Sequence, residues 1–130
     1  MRVIKKIIII VVAFSLLYIF SYHDKNDSSQ IIDITYINYL GEYEIKKYTN
    51  KLGIEKITNK LQWVSFYPVI NYRLQESPTS CISIKYTDGS IKEFHMAGMF
   101  VMISTQQNGI SEDNTKFYIV NPYTVKRIFK

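Results

Sequence analysis

Cys81 and His95 are the two side chains whose chemical types and spacing first suggest a catalytic group in this chain. They flank an Asp-Gly pair in a predicted β-hairpin, and one register of that hairpin places the thiol opposite the imidazole. Glu93 lies on the same face as His95 and could orient its ring. A working nucleophilic site also needs oxyanion donors, and no residue pattern here rises to a catalytic signature. We therefore favour a chance pairing on a half-exposed sheet and predict no catalytic residue.

The register of this hairpin depends on the length of its turn around Asp88. A two-residue turn would place Lys85 opposite Lys92, and two like charges directly across a strand pair are unfavourable. A three-residue turn, Thr87–Gly89, instead sets Lys85 against Ile91. We predict the three-residue turn, which is also the register that brings the thiol and the imidazole together.

Other reaction chemistries find less support in the residue pattern. The only histidines are His23 and His95, and the single cysteine is Cys81, so no spacing typical of a metal site is present. The five glycines are scattered singly, which does not favour a phosphate-binding turn. No pair of carboxylates is selected for glycoside cleavage, and no G-x-S-x-G motif surrounds a serine. We predict no metal and no cofactor, and an envelope enzyme with an unrecognised site is kept as an alternative.

The aromatic residues Trp63, Phe66 and Tyr67 form the one candidate interaction surface. Trp63 falls about 100° away from the apolar stripe of the preceding predicted helix, so either the helix ends first or the indole lies on its flank. An exposed aromatic ridge, defined here as these three side chains, would be a rigid anchor of the kind that interfaces favour. The alternative, which we favour, is that Trp63 packs under the Val69–Ser80 segment.

The apolar N-terminus is the segment that predicts where in the cell all of these residues lie. Ile7–Phe20 is apolar except for Ser15, and Lys5 and Lys6 come just before it. This run has about 14 residues, whereas a spanning helix usually needs about 20, so a membrane anchor would use residues 3–22 with the lysines reaching back to the headgroups. A cleaved signal peptide suits the length better, but Ile19–Ser21 makes a poor small-x-small cleavage site. We favour an uncleaved anchor over residues 1–22 and keep signal cleavage open.

The distribution of charge gives the predicted orientation and excludes a class of partner. Three cations precede the apolar run, and the positive-inside rule then keeps the N-terminus in the cytoplasm and places the rest outside. Three of the 16 Lys and Arg residues lie in the first six positions, which leaves 13 against 11 Asp and Glu residues. These 13 are scattered rather than clustered on one face, so we predict no nucleic-acid binding.

The remainder divides into a linker and one domain. Residues 23–30 include the polar stretch Asp24–Gln30, which contains no apolar residue and is typical of a short flexible tether. Residues 31–130 then have the length of one ordinary domain, large enough to fold on its own core. Because the chain has a single cysteine, no intrachain disulfide can support it.

Alternating apolar positions and turn residues predict an α+β domain. Ile54, Ile57, Leu61 and Val64 form one helical stripe, with Thr49 or Asn50 as the cap and Pro68 preventing continuation. A second, short helix is predicted after Pro122. Strands are predicted at Ile31–Leu40, Glu42–Tyr48, Cys81–Tyr86, the partner strand of the hairpin, Met99–Ser104 and Lys116–Val120. Because short loops join the later strands, we expect an antiparallel sheet with the amphipathic helix covering one face. Val69–Leu74 is ambiguous, and Gln75–Ser80 and Gln106–Thr115 are predicted loops.

The layout resembles that of small exported domains of unknown function from Gram-positive bacteria. The resemblance is carried by I-S-I-K-Y-T-D-G-S-I-K-E-F at Ile82–Phe94 and by F-Y-I-V-N-P at Phe117–Pro122. A composition heavy in Ile, Lys, Asn and Tyr is also typical of AT-rich genomes. The resemblance implies an exported domain and assigns no activity or site residue.

Together these patterns predict a single-pass protein of the cell membrane with an extracellular C-terminal domain. We expect that domain to be a membrane-tethered binding or accessory module whose partner is an envelope protein, a peptide or a cell-wall component. A secreted protein after signal cleavage is the alternative with the same domain.

Overall fold

The computed structural model describes residues 1–24, 27–40, 43–69, 77–107, 110–111 and 115–129. It begins with helix α1, Arg2–Phe20, none of whose residues is buried. By length and composition α1 meets the requirements of a membrane span, and a signal sequence near an N-terminus would meet them as well. The structure thus confirms the predicted N-terminal apolar helix and leaves both interpretations of it in place.

The domain is built on one antiparallel sheet. Seven strands lie side by side in the order β2-β1-β4-β5-β6-β8-β3, and a short strand β7 pairs with the end of β6. A single turn of 3-10 helix, Ser28–Gln30, precedes the first strand. The strands are β1 (Ile31–Asn38), β2 (Glu44–Tyr48), β3 (Tyr67–Pro68), β4 (Ser80–Tyr86), β5 (Ile91–Ala97), β6 (Phe100–Gln107), β7 (Ile110–Ser111) and β8 (Lys116–Ile119).

Helix α2, Lys51–Leu61, forms where the sequence predicts it. Asn50 is the cap, and its side-chain oxygen accepts a hydrogen bond of 2.6 Å from the backbone N–H of Gly53. The stripe of Ile54, Ile57 and Leu61 is buried, because these positions recur on one side of the helix. The helix ends at Leu61, so Val64 contributes to the core from the segment after it.

Helix α3, Pro122–Ile128, closes the chain as expected. Asn121 caps it by accepting from the backbone N–H of Tyr123 at 3.1 Å, and Pro122 occupies the first turn, where a missing N–H costs nothing. Phe129, directly after the helix, stacks on Tyr36 of β1 with ring centroids 4.4 Å apart. This contact places α3 on the same face of the sheet as α2.

The core therefore lies between the two helices and one face of the sheet. Side chains alternate between the two faces of a strand, and the alternate positions that face the helices are buried. On the sheet they are Ile34 and Tyr36 of β1, Ile82 and Ile84 of β4, Phe94 and Met96 of β5, Val101 and Ile103 of β6, and Tyr118 of β8. The sequence prediction of an α+β domain with an antiparallel sheet, an amphipathic helix and a short C-terminal helix is confirmed.

Two details differ from the sequence predictions. Strand β6 continues to Gln107 and pairs with β7, so part of the predicted Gln106–Thr115 loop is extended strand. Strand β3 was not predicted, and it pairs with β8 although Pro68 lies within it. Pro68 is tolerated at the edge of the sheet because an edge strand leaves half of its N–H groups unpaired. Most of Val69–Leu74 and part of Gln75–Ser80 lie outside the described residues.

Candidate functional site

The β4–β5 hairpin has the register that the sequence predicts. Cys81 lies opposite His95 and Lys85 lies opposite Ile91. The backbone N–H of Gly89 bonds the carbonyl of Tyr86 at 3.1 Å, and Gly89 has a φ of 88°, which a residue without a Cβ adopts most easily. The three-residue turn, and with it the facing of the thiol and the imidazole, is confirmed.

The predicted orienting carboxylate is also in place. Glu93 Oε2 lies 2.6 Å from Nε2 of His95, and both side chains are about one-quarter exposed. Cys81, however, is buried, and burial together with the nearby Glu93 charge raises the pKa of its thiol to about 11. A catalytic cysteine needs an electropositive environment that lowers the thiol pKa. This environment has the opposite effect, so Cys81 and His95 are cross-strand partners without an activated thiol.

In the described part of the chain, no three His, Cys, Asp or Glu side chains lie close enough together to hold a metal ion. The predictions that the chain has no cofactor and no metal ligand stay predictions.

The three side chains of the proposed aromatic ridge are separated by the fold. Trp63 is 73% exposed, Tyr67 is 40% exposed, and Phe66 is completely buried. The ring of Phe66 packs 5.7 Å from that of Phe94 and 5.9 Å from that of Tyr22, which places it in the core. A ridge of all three residues is therefore wrong, because Phe66 begins the extended segment that enters the sheet. The favoured alternative, in which Trp63 is packed under the following segment, does not fit its exposure either. A role for Trp63 or Tyr67 in an interface stays a prediction.

The segment after α1 is joined to the domain by backbone hydrogen bonds. The N–H of Tyr22 donates to the carbonyl of Phe66 at 2.6 Å, and the N–H of Phe66 donates to the carbonyl of Tyr22 at 2.9 Å. Only Ser21 separates this bridge from the end of α1. Tyr22 therefore belongs structurally to the domain, although the sequence assigns it to the anchor.

A buried polar cluster fixes the next residues of the predicted linker. Asp24 is fully buried at its side chain, accepts a hydrogen bond from the Tyr22 hydroxyl at 2.7 Å and forms an ion pair with Lys92 of β5. Lys92 also lies over the rings of Tyr22 and Phe94 at 5.0 and 5.6 Å from their centroids. The sequence predicts that Asp24–Gln30 is a flexible tether. At Asp24 this prediction is wrong, because its side chain is buried in the domain and paired with Lys92. The division of the chain at residues 22 and 30 is otherwise a prediction.

Two further features belong to this segment and its surroundings. Burial, with the charges of Asp24 and Asp88, raises the pKa of the Tyr86 hydroxyl above its usual value. Asp27 caps the single 3-10 turn by accepting from the N–H of Ser29 at 3.0 Å. The sequence does not reveal this arrangement, because a stretch of polar residues such as that between Tyr22 and Ile31 is usually exposed to solvent. The signal that the sequence did contain is Lys92, a charged residue on the core-facing side of β5, which requires a partner of opposite charge.

The sheet face opposite the helices carries a row of cross-strand neighbours that includes the predicted pair. Successive registers place these residues side by side from one strand to the next across the sheet. The row is Ile45 of β2, Ile37 of β1, Cys81 of β4, His95 of β5, Met102 of β6 and Phe117 of β8. Most side chains of this row are apolar, and Ile45 is 53% exposed. We call this surface the open face.

A hollow of about 310 Å³ lies between the start of α3 and the ends of β1, β4 and β5. Its volume is at the lower end of the range for small-ligand sites, about 300–1,000 Å³. Leu40 and Tyr123 line the hollow with 64% and 75% of their surface exposed, and Lys126 contributes a positive charge to it. We call this the α3 hollow. Its lining is mainly apolar but includes the polar side chains of Asn38, Thr79, Ser80 and Lys126, and this combination suits a peptide-like partner.

The comparisons with known proteins add no family to this description. No family model, no curated protein and no solved structure matches the chain.

Proposed function

We propose that the chain is a membrane-tethered extracytoplasmic binding module. The observation that carries this proposal is the contrast between α1, which is apolar and has no buried residue, and the domain, whose backbone continues directly from it. A helix of this composition needs a partner that removes it from water, and lipid is the partner that its length suits. The cations Lys5 and Lys6 at its start favour the orientation with the domain outside the cytoplasm.

The binding role is supported by the surface of the domain rather than by reactive groups. Exposed large apolar side chains normally mark interaction sites when they are grouped. Leu40 and Tyr123 are grouped at the α3 hollow, whereas the one facing thiol–imidazole pair carries a thiol of raised pKa. We propose that an envelope protein, a peptide or a cell-wall component binds at the α3 hollow.

Membrane location and orientation are tested with the full chain carrying a reporter after Lys130. We expect the reporter to be active outside the cytoplasm, the chain to resist alkaline extraction from membranes, and its intact mass to include residues 1–22. A mature N-terminus near Tyr22 in the medium would replace the anchor with signal cleavage. A reporter active only in the cytosol would remove the proposal.

Binding at the α3 hollow is tested by placing a photoreactive amino acid at Tyr123 and crosslinking in native membranes. The matched control places it at Leu52, which is 80% exposed in the first turn of α2. We expect one product, identified by mass spectrometry, from position 123 and its absence from position 52. Equal products from both positions would show non-selective contact and would contradict a binding site in the hollow.

A further inference from the structure

We propose that the part of the domain around Trp63 lies in the headgroup layer of the bilayer, with the indole of Trp63 as an interfacial anchor next to the end of α1. The proposal rests on the proposed function, because it requires α1 to be inserted in lipid. It adds a second membrane contact, made by the folded domain itself, and therefore a fixed orientation of the domain on the membrane.

The first support is the length of α1 and the absence of spare chain at its end. Its 19 residues make a helix of about 28 Å, and the hydrocarbon core of a bilayer is about 30 Å thick. A helix of this length has no turn to spare beyond the lipid. Because Tyr22 is already hydrogen-bonded to Phe66, only Ser21 lies between the helix and the sheet edge. The edge at β3 must therefore lie at the membrane surface.

The second support is the position of Trp63 beside the last turn of α1. Tyr18, His23, Gln62 and Trp63 line one surface hollow of about 220 Å³. The rings of Tyr18 and His23 are 4.7 Å apart, and Nδ1 of His23 lies 3.3 Å from the carbonyl oxygen of Gln62. The Ser21 hydroxyl donates to the carbonyl of Tyr18 at 2.7 Å. These contacts place the segment that carries Trp63 at the level where α1 leaves the lipid.

The third support is the chemistry of the exposed side chain. Trp63 is 73% exposed, which leaves a large apolar ring in water if nothing covers it. Tryptophan and tyrosine are enriched at membrane–water interfaces, because the ring prefers the acyl boundary while the N–H or O–H remains hydrated. Lys60, one turn before Trp63, is exposed and supplies an ammonium that lipid phosphates attract. The phospholipid headgroup layer is the occupant that these groups fit.

The test uses the fluorescence of Trp63, which is the only tryptophan of the chain. The full chain is reconstituted in vesicles of phosphatidylcholine and phosphatidylglycerol, with and without lipids brominated close to the glycerol. Heavy bromine quenches an indole on contact. We expect Trp63 to emit at shorter wavelength than a hydrated indole and to lose most of its intensity when brominated lipid is present. This measurement needs no substitution and so does not depend on how a variant folds.

A matched control moves the tryptophan to the far edge of the sheet in the double variant Trp63→Phe/Ile45→Trp. Ile45 is 53% exposed on β2, and six strand spacings of about 4.8 Å place that edge about 29 Å from β3. We expect the control indole to emit as a hydrated ring and to keep its intensity with brominated lipid. Circular dichroism of both proteins establishes that the sheet is retained.

The outcomes separate this proposal from the proposed function. If the chain floats with the vesicles and Trp63 is not quenched, α1 is inserted and the interfacial anchor is wrong. A blue-shifted but unquenched Trp63 would mean that protein covers the ring, which also overturns the proposal. Equal quenching at positions 63 and 45 would contradict a single membrane-facing side. A chain that does not float with vesicles would overturn both proposals.

Discussion

Strand β5 carries two groups of ionisable side chains on its two faces, and their surroundings differ. Lys92 faces the helices and pairs with Asp24, with side chains 16% and 0% exposed. His95 and Glu93 lie on the open face, both 24% exposed. The first pair joins residues far apart in the chain, whereas the second joins residues two positions apart. The difference indicates that the buried pair maintains the junction with α1, and that the outward pair adds little to stability and is accessible to a partner.

The largest effect should come from Phe94, which lies between Glu93 and His95 in sequence, faces the helices with Lys92 and is completely buried. Phe94→Ala removes a ring packed against Phe66, and we expect a loss of about 4 kcal/mol in the free energy of unfolding. Guanidinium unfolding of the full chain in non-ionic micelles measures it. The control His95→Ala changes the adjacent, outward residue and should cost less than about 1 kcal/mol. Equal losses would contradict the assignment of the two faces.

A smaller but still large effect is expected at the buried pair. Asp24→Asn leaves the ammonium of Lys92 without its counter-charge inside the domain, and we expect a loss of about 3 kcal/mol, measured in the same way. The double variant Asp24→Asn/Lys92→Met should recover part of this loss, because it also removes the unpaired charge.

Glu93→Gln is the matched control on the other face, where the pair with His95 is partly exposed. We expect a loss of less than about 1 kcal/mol. If Asp24→Asn were as mild as Glu93→Gln, the junction with α1 would not depend on the ion pair.

The smallest effect concerns the thiol on the open face. Because burial raises the pKa of Cys81 to about 11, its protonated form is favoured in the folded chain. The stability that this preference contributes is present below the ordinary thiol pKa and is lost as pH rises through about 11. We expect slow alkylation by iodoacetamide at neutral pH, with the rate rising only at strongly alkaline pH, whereas chain unfolded in guanidinium reacts at lower pH. Rapid alkylation of the folded chain at neutral pH would contradict the conclusion that the thiol of Cys81 is buried and not activated.

The local elements of this fold were predictable, because their signals lie within a few residues of each other. The Asp-Gly turn and the repulsion between Lys85 and Lys92 selected the hairpin register. The apolar period and the Asn50 cap gave α2 and its start. These features follow from the backbone geometry of a turn or a helix, which a short sequence window contains.

The junction with α1 was not predictable in the same way. The pairing of Tyr22 with Phe66 and of Asp24 with Lys92 connects segments more than forty residues apart. A polar residue in a polar stretch has the same sequence signature whether it lies in water or inside a domain. For the candidate site, the facing of Cys81 and His95 was predicted, but the raised thiol pKa and the α3 hollow depend on packing that no local pattern contains.

The backbone bridge between Tyr22 and Phe66 has a mechanical consequence. A helix joined to its domain by a loose chain can spin or tilt in the bilayer without moving the domain. Here a rotation of α1 about its axis has to turn the sheet by a similar angle, because Ser21 is the one residue between them. Its backbone N–H donates to the carbonyls of Leu17 and Tyr18, and its hydroxyl also donates to the carbonyl of Tyr18. In the proposed arrangement with α1 in the bilayer, torque applied to α1 is thereby transmitted to the domain.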